Sequence, residues 1–426
     1  MHKLVLYFEQ YLNYIAILNG FTNLRIDYAH RKIYNSKLVN CYVLMANIVT
    51  VALLPCAHAI AINYITASFK NNLLAFTDSA NLFVHYIVVV FSVTGRCRRE
   101  KIYKQISSEL FKLDRSYFEK LELNLRIEKR SNFVLFVKMC SVCAMVVVPI
   151  YGVFQQAIRV DANVIMLALY SGHIECILHG VIFLFFRMQW QVRKRMWRLN
   201  LHLADLLQRQ QRLHRDAVGT LAADSDTLRW LSRLAADELR EIARAHAHLS
   251  QMLLRLNRVY RWQVIAVLLT YLISNISYGY YWVVMMEASK HEHPSALSVL
   301  GSVVLCTVVF FDINLLYWAA DATAHACQNT AYILREFQEP LLTDALFEQQ
   351  YEVFALQLKQ QKVDINIAGM FILNRQTALA LWAFSARHIL ILVQFDYGAR
   401  KQSHRSGGVL DQINRLLQFG ENWAEQ

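Results

Sequence analysis

The 426-residue chain is short of what a soluble globular protein usually carries. It has 4 prolines and 13 glycines, and only 18% of its residues are charged, while 56% are apolar. Ordinary domains are about 25% charged, so a water-soluble fold is excluded. A disulfide framework is also missing. The eight cysteines, Cys41, Cys56, Cys97, Cys140, Cys143, Cys176, Cys306 and Cys327, fall mostly within apolar blocks. Cys140 and Cys143 form a C-x-x-C pair in "FVKMCSVCAMVVV", without the βαβ context or second ligand pair that redox or zinc chemistry needs. There is no G-x-S-x-G, no H-E-x-x-H and no phosphate-binding glycine loop. The chain is therefore not expected to be an enzyme, and no metal or cofactor is expected. The opening "MHKLVLYFEQYLNYI" places Glu9 and Gln10 early and does not fit a signal peptide. No internal repeat or low-complexity tract stands out.

What the chain does have is long apolar runs separated by basic blocks. Seven runs are long enough to span a bilayer, near 41–66, 73–95, 133–155, 164–188, 263–286, 298–320 and 376–398. Lysines and arginines orient them. The segments 1–40, 96–132, 189–262 and 321–375 carry 34 of these residues, whereas the short loops 67–72, 156–163 and 287–297 and the tail 399–426 carry 7. Basic segments stay in the cytoplasm. The expected fold is all-α: a polytopic membrane protein of seven helices with a cytoplasmic N-terminus. Segment 1–40 is then cytoplasmic, and 41–320 holds six spans with helical inner loops 96–132 and 189–262. Segment 321–375 forms an inner anchor helix and turn, 376–398 is the last span, and 399–426 is outside. The net charge of +12 is a loop property, so no nucleic-acid partner is expected. A G-protein-coupled receptor, with its N-terminus outside, is disfavoured.

The inner segments carry helical patterns. Leu228, Leu231, Ala235, Leu239, Ile242, His246, Leu249, Leu253 and Leu256 recur at steps of three and four, which makes one mostly apolar stripe. "FRMQWQVRKRMWRLNLHLADLLQRQ" extends span four inward, and "ALFEQQYEVFALQLKQQ" predicts a further helix before span seven. These helices form a packing domain below the membrane; the alternative is that they lie on its surface.

Several polar groups fall in or beside the spans. Lys138 and Arg187 lie near inner ends, where they are expected to snorkel to the interface. His173, Glu175 and His179 punctuate span four. Asp78 and Asp312 lie in spans two and six. Each carboxylate is either a functional group or one satisfied by a neighbouring helix. The "HEH" of His291–His293 is read as a solvated outer loop, and the sequon at Asn275 falls inside span five. Aromatic residues gather on the outer halves: Tyr151, Phe154, Tyr170, Tyr278, Tyr281 and Trp282. They suit either an interfacial belt or an outward-opening apolar ligand pocket.

The stretch Phe354–Phe395 reads "FALQLKQQKVDINIAGMFILNRQTALALWAFSARHILILVQF". It resembles the C-terminal signature of insect gustatory receptors: a cytoplasmic helix, a glycine–aromatic turn, and a last helix ending in Thr-Tyr, five apolar residues and Gln-Phe. Gly369 and Phe371 match the turn, Ile389 to Val393 the apolar five, and Gln394 and Phe395 the end. Arg387 and His388 replace Thr-Tyr.

The resemblance implies a ligand-gated nonselective cation channel, related in fold to insect odorant receptors, in the plasma membrane of sensory neurons. It implies a homo- or hetero-tetramer embedded in membrane lipid, with the last helix of each subunit lining a central pore. A small-molecule tastant would bind in an outward pocket among spans two to six. Gln394 is the pore-facing residue carried over. Residues seven apart share a helix face within about 20°, so Arg387 faces the pore with Gln394. Ile391 between them is a further pore-lining candidate. A ring of arginines opposes cation flow. Arg387 therefore pairs with Asp312, Asp78 or Glu175, or the subunit works in mixed tetramers, or its conductance is unusual. The competing readings are a transporter with His173, Glu175 and His179 as a relay, and a seven-helix receptor that signals without a pore.

Overall fold

The computed structural model describes residues 2–27, 30, 32–68, 71–121, 124–156, 161–219, 225–288, 296–336, 345–361 and 363–398. The "HEH" stretch and the tail from residue 399 lie outside these. The chain folds as helix α1 (His2–Leu18), a small antiparallel hairpin β1–β2 (Arg25–Asp27, Lys32–Tyr34), α2 (Lys37–Ser68), α3 (Asn72–Thr94) and α4 (Arg96–Ser116). It continues with α5 (Leu125–Gln156), α6 (Ala162–Gly219), α7 (Ser225–Ala288), α8 (Ala296–Arg335) and α9 (Ala345–Gln360). A second hairpin, β3–β4 (Asn366–Ile367, Phe371–Ile372), leads into α10 (Arg375–Gly398).

Among the described residues, α2, α3, α5, α6, α7 and α10 are long and apolar enough to cross a membrane. α8, 40 residues long and opening on the run "ALSVLGSVVLCTVVFF", contains the run 298–320 read from the sequence as span six. Pro55 and Pro149 sit inside α2 and α5, where neighbouring helices can satisfy the freed backbone groups.

α6 and α7 have 58 and 64 residues. At a rise of about 1.5 Å per residue they exceed the roughly 30 Å of hydrocarbon by far. Their excess length projects below the membrane as one continuous body with the spans. Here the heptad-like stripe is buried rather than laid on lipid. Ala235, Leu239, Ile242, His246, Leu249, Leu253 and Leu256 all lie in the core, where α7 packs on α4, α6 and α9. The side chain of Leu228 lies outside the described set.

Many basic residues of this region bond across helices. Arg195 grips Asp114 of α4 (2.5 and 2.7 Å), Lys194 grips Glu128 of α5 (2.5 Å), and Arg255 pairs with Glu109. His202 and Arg209 of α6 converge on Glu238 of α7 at 2.5 and 2.6 Å.

The first forty residues are more structured than a cytoplasmic segment requires. The 17 residues of α1 are too few to cross, yet α1 packs on α5 and α6. Glu9 meets Arg187 at 2.9 Å, and Asn19 meets His173 at 3.1 Å. The helix thus rises along the inner part of the bundle. The chain then turns back at Gly20, whose φ of +75° suits glycine.

His246 gives the inner domain an acid-labile point. It is fully buried, with its ring 5.9 Å from that of Phe354, and burial pulls its pKa down to about 4. The unfolded imidazole takes a proton near 6.5. Between those values the unfolded chain binds more protons, so stability falls as pH drops. Lowering the pH from 7.5 to 5 is expected to cost the inner domain about 2 kcal/mol from this group. Thermal melting of the solubilised receptor should show this, and His246→Phe should remove that share of the pH dependence.

Candidate functional site

The matched C-terminal motif begins at a turn that needs its glycine. Gly369 has φ +76° after Ala368 at +55°, and its N–H donates to Asn366 Oδ1 at 2.9 Å. The turn brings Phe371 back antiparallel to Ile367. Asn374 then caps α10, accepting from Thr377 N at 2.9 Å.

Only one face of α10 packs on its own subunit. Ala378, Ser385 and Asp396 are buried. Trp382 meets Phe310 of α8 with ring centroids 4.6 Å apart. Ile389 fills the space left by Gly279 of α7, where an added Cβ would stand 2.3 Å from its Cδ1. Arg387 and Gln394 lie two and nine residues beyond Ser385, about 200° and 180° round the helix, and both are exposed. They point away from the bundle, with Ala380 and Ala383 beside them. Ile391 is half-buried at the flank. His388 stacks on Phe384 with centroids 4.0 Å apart, and Phe395 is exposed.

Arg387 pairs with none of the three carboxylates considered for it. Asp312 accepts from Lys138 Nζ (2.6 Å), Ser141 Oγ (2.5 Å) and Tyr271 Oη (2.7 Å). Asp78 accepts from Ser277 Oγ at 2.6 Å. Glu175 lies 3.5 Å from His85 Nε2 and 3.0 Å from His179 Nε2. His179 Nδ1 is in turn 3.2 Å from Tyr271 Oη. A single buried polar chain therefore crosses α3, α6, α7, α8 and α5. The expectation that Lys138 and Arg187 snorkel fails for the same reason. Both are buried, and each is neutralised by a carboxylate from another helix, Asp312 and Glu9. Pairing replaces the water that a snorkelling head would have reached.

The outer aromatic residues do not converge on one another. Tyr170 is buried and bonded to His58 Nδ1 at 2.8 Å, and the His58 ring stacks on Tyr86 of α3 at 4.8 Å. Phe83 stacks on Tyr86 with centroids 6.5 Å apart. Tyr278 and Tyr281 are half-buried on α7, and Tyr151, Phe154 and Trp282 are exposed. His58 escaped the sequence reading, although a lone histidine inside span one was a signal that could have found it. A cleft of about 900 Å³ opens on the cytoplasmic side between α1, α4, α5 and α6, lined by the paired Asp114, Glu128, Lys194 and Arg195. Among the described residues, no cluster of His, Cys, Asp or Glu is fit to hold a metal ion.

A sequence model described as the 7tm chemosensory receptor family matches residues 9–398. Gustatory receptor 10a of Drosophila melanogaster is 22% identical over 348 residues, 79% of this chain and 81% of that one. Two further Drosophila melanogaster sequences described as gustatory receptors, 59d and 58a, are 25% and 24% identical. The chain spans 42% and 52% of their lengths, about half. In fold, the chain is similar to the olfactory receptor OR5 from Machilis hrabei. The structure with eugenol gives a TM-score of 0.64 at 12% identity, covering 93% of this chain and 98% of that one. The structure without it gives 0.60 at 14%, covering 90% and 97%.

The polar chain sets a stability prediction. Lys138→Met leaves Asp312 charged and without its cation in a low-dielectric core, and should cost about 3–5 kcal/mol. Adding Asp312→Leu should recover much of the loss. Thermal unfolding of detergent-solubilised protein, followed by size-exclusion, measures both.

Proposed function

The chain belongs to the 7tm chemosensory receptor family, and from that premise we propose that it is a gustatory receptor subunit acting as a ligand-gated, nonselective cation channel. The observation that carries this reading is the two-sidedness of α10. One face is fixed to α7 and α8, and the face bearing Arg387 and Gln394 is turned outward from the subunit. Helices of this kind from four subunits would enclose a pore, with the long inner helices assembled beneath it.

The ligand would be a small-molecule tastant held from the outer side among spans two to six, α3 and α5–α8. Tyr86 and Tyr170 offer two rings there, and His58 of the adjoining α2 bonds to Tyr170 and stacks on Tyr86, in the manner of apolar sites with a few polar groups. A mechanical link to the pore helix is also available. Asn71 caps α3, accepting from Leu73 N and Leu74 N, and donates to Asp396 of α10 at 3.1 Å. A ligand that shifts α3 would therefore pull on the outer end of α10.

Four Arg387 side chains in one ring would oppose cations, which favours mixed tetramers in which fewer subunits carry the charge. Arg387→Thr should raise cation conductance. A repulsion of about 1 kcal/mol between charges in water corresponds to about fivefold in flux. Current recording, alone and with co-expressed relatives, measures it, with surface biotinylation reporting delivery to the membrane. Unchanged permeability and gating at equal surface level would end the pore role of Arg387.

A further inference from the structure

A second cavity, of about 190 Å³, lies inside the bundle between α1, α5 and α6. It is on the inner side of the subunit, away from the outer cluster of His58 and Tyr170. Its walls are largely apolar, including Leu12, Ala16, Val146 and Phe183. Its inner end is the buried Glu9–Arg187 pair, which also borders the cytoplasmic cleft and so separates the two spaces. Its rim includes Tyr11 and Val147, which are 59% and 60% exposed on the side that faces lipid. The cavity thus opens toward the hydrocarbon and ends at an ion pair on the cytoplasmic side.

The local sequence keeps this space open. Gly180 of α6 lets the Phe21 ring lie against the helix backbone, where an added Cβ would stand 2.4 Å from it. Phe21 follows the turn at the end of α1 and forms part of the wall. The occupant would therefore touch α1, span three and span four together. Filling the cavity adds contacts between α1 and the bundle where they otherwise meet across a void.

We infer that this cavity binds one small, uncharged, apolar molecule dissolved in the bilayer, at a site distinct from the outward tastant pocket. The size sets the class. A cavity of about 150 Å³ with aliphatic and aromatic walls stays dry and takes up benzene. This one is slightly larger, suited to a single substituted ring and too small for a whole acyl chain. A charged ligand is disfavoured because Glu9 and Arg187 already neutralise each other.

Two native thiols, Cys143 and Cys176, lie in the cavity wall and report occupancy without channel activity. The full-length receptor in lipid nanodiscs is treated with N-ethylmaleimide, with and without p-xylene, and each cysteine is followed by peptide mass spectrometry. At p-xylene ten times its dissociation constant, Cys143 and Cys176 should react roughly tenfold more slowly, as the free fraction of the site falls. Cys41 and Cys56, exposed on α2, should be unaffected. Cys176→Leu narrows the cavity without filling it, and the p-xylene concentration that half-protects Cys143 should then rise several-fold.

The inference is overturned if p-xylene leaves both rates unchanged, or slows Cys41 and Cys56 equally. It is also overturned if Cys176→Leu leaves the p-xylene dependence of Cys143 unchanged. Protection present without p-xylene, and lost on transfer to a lipid-free amphipol, would identify a lipid chain as the occupant and overturn it as well. Because the readout is binding, failure here leaves the channel proposal untouched, and the converse holds.

Discussion

A charge inside a bilayer has no water to turn to, and the helix bundle is organised around that constraint. Lys138 and Asp312 are both fully buried and 2.6 Å apart. Ser141 and Tyr271 complete the hydrogen bonds of the carboxylate. The pair would be prohibitive if split, because removing one partner strands the other in hydrocarbon. It therefore fixes α5 against α8, and through Tyr271 and His179 it also fixes α7 and α6. Glu9 and Arg187 do the same for α1. Helices that gain little from hydrophobic sorting in lipid are held in register by groups that must find each other.

Below the membrane water returns, and the stabilising force changes with it. α6 and α7 leave the bilayer without a break, and their apolar stripes pack as in a soluble helical domain. The abundant positive charge of this region helps to set orientation, and many of the same side chains then bridge neighbouring helices. The inner domain and the spans share helices, since α6 and α7 run unbroken through both.

α10 departs from this pattern. It is the last span to be added, and it touches the bundle along a narrow face through Ser385, Trp382, Ile389 and Asp396. Large apolar side chains, Leu379, Leu390 and Phe395, stay exposed on the single subunit. A helix so lightly held is suited to movement and to contacts with further chains. The hydrogen bond from Asn71 to Asp396 joins its outer end to the cap of α3.

The sequence determined the membrane class, the span order, the inner domain and the family resemblance. These rest on features that a one-dimensional string carries: apolar run length, the distribution of basic residues, the three–four spacing from Ala235 to Leu256, and a short motif around Gly369 and Gln394. Helical period also put Arg387 and Gln394 on one face, because that relation needs no second helix. The tertiary structure decided everything that depends on partners distant in the chain. Lys138 and Asp312 are 174 positions apart, so no local pattern distinguishes a paired lysine from one that snorkels. His58 meets Tyr170 across 112 positions, and the cavity beside Gly180 exists only because α1 folds back against α5 and α6. In a low-dielectric interior the cost of a polar group depends on what lies within a few ångströms of it, and that distance is a property of the fold.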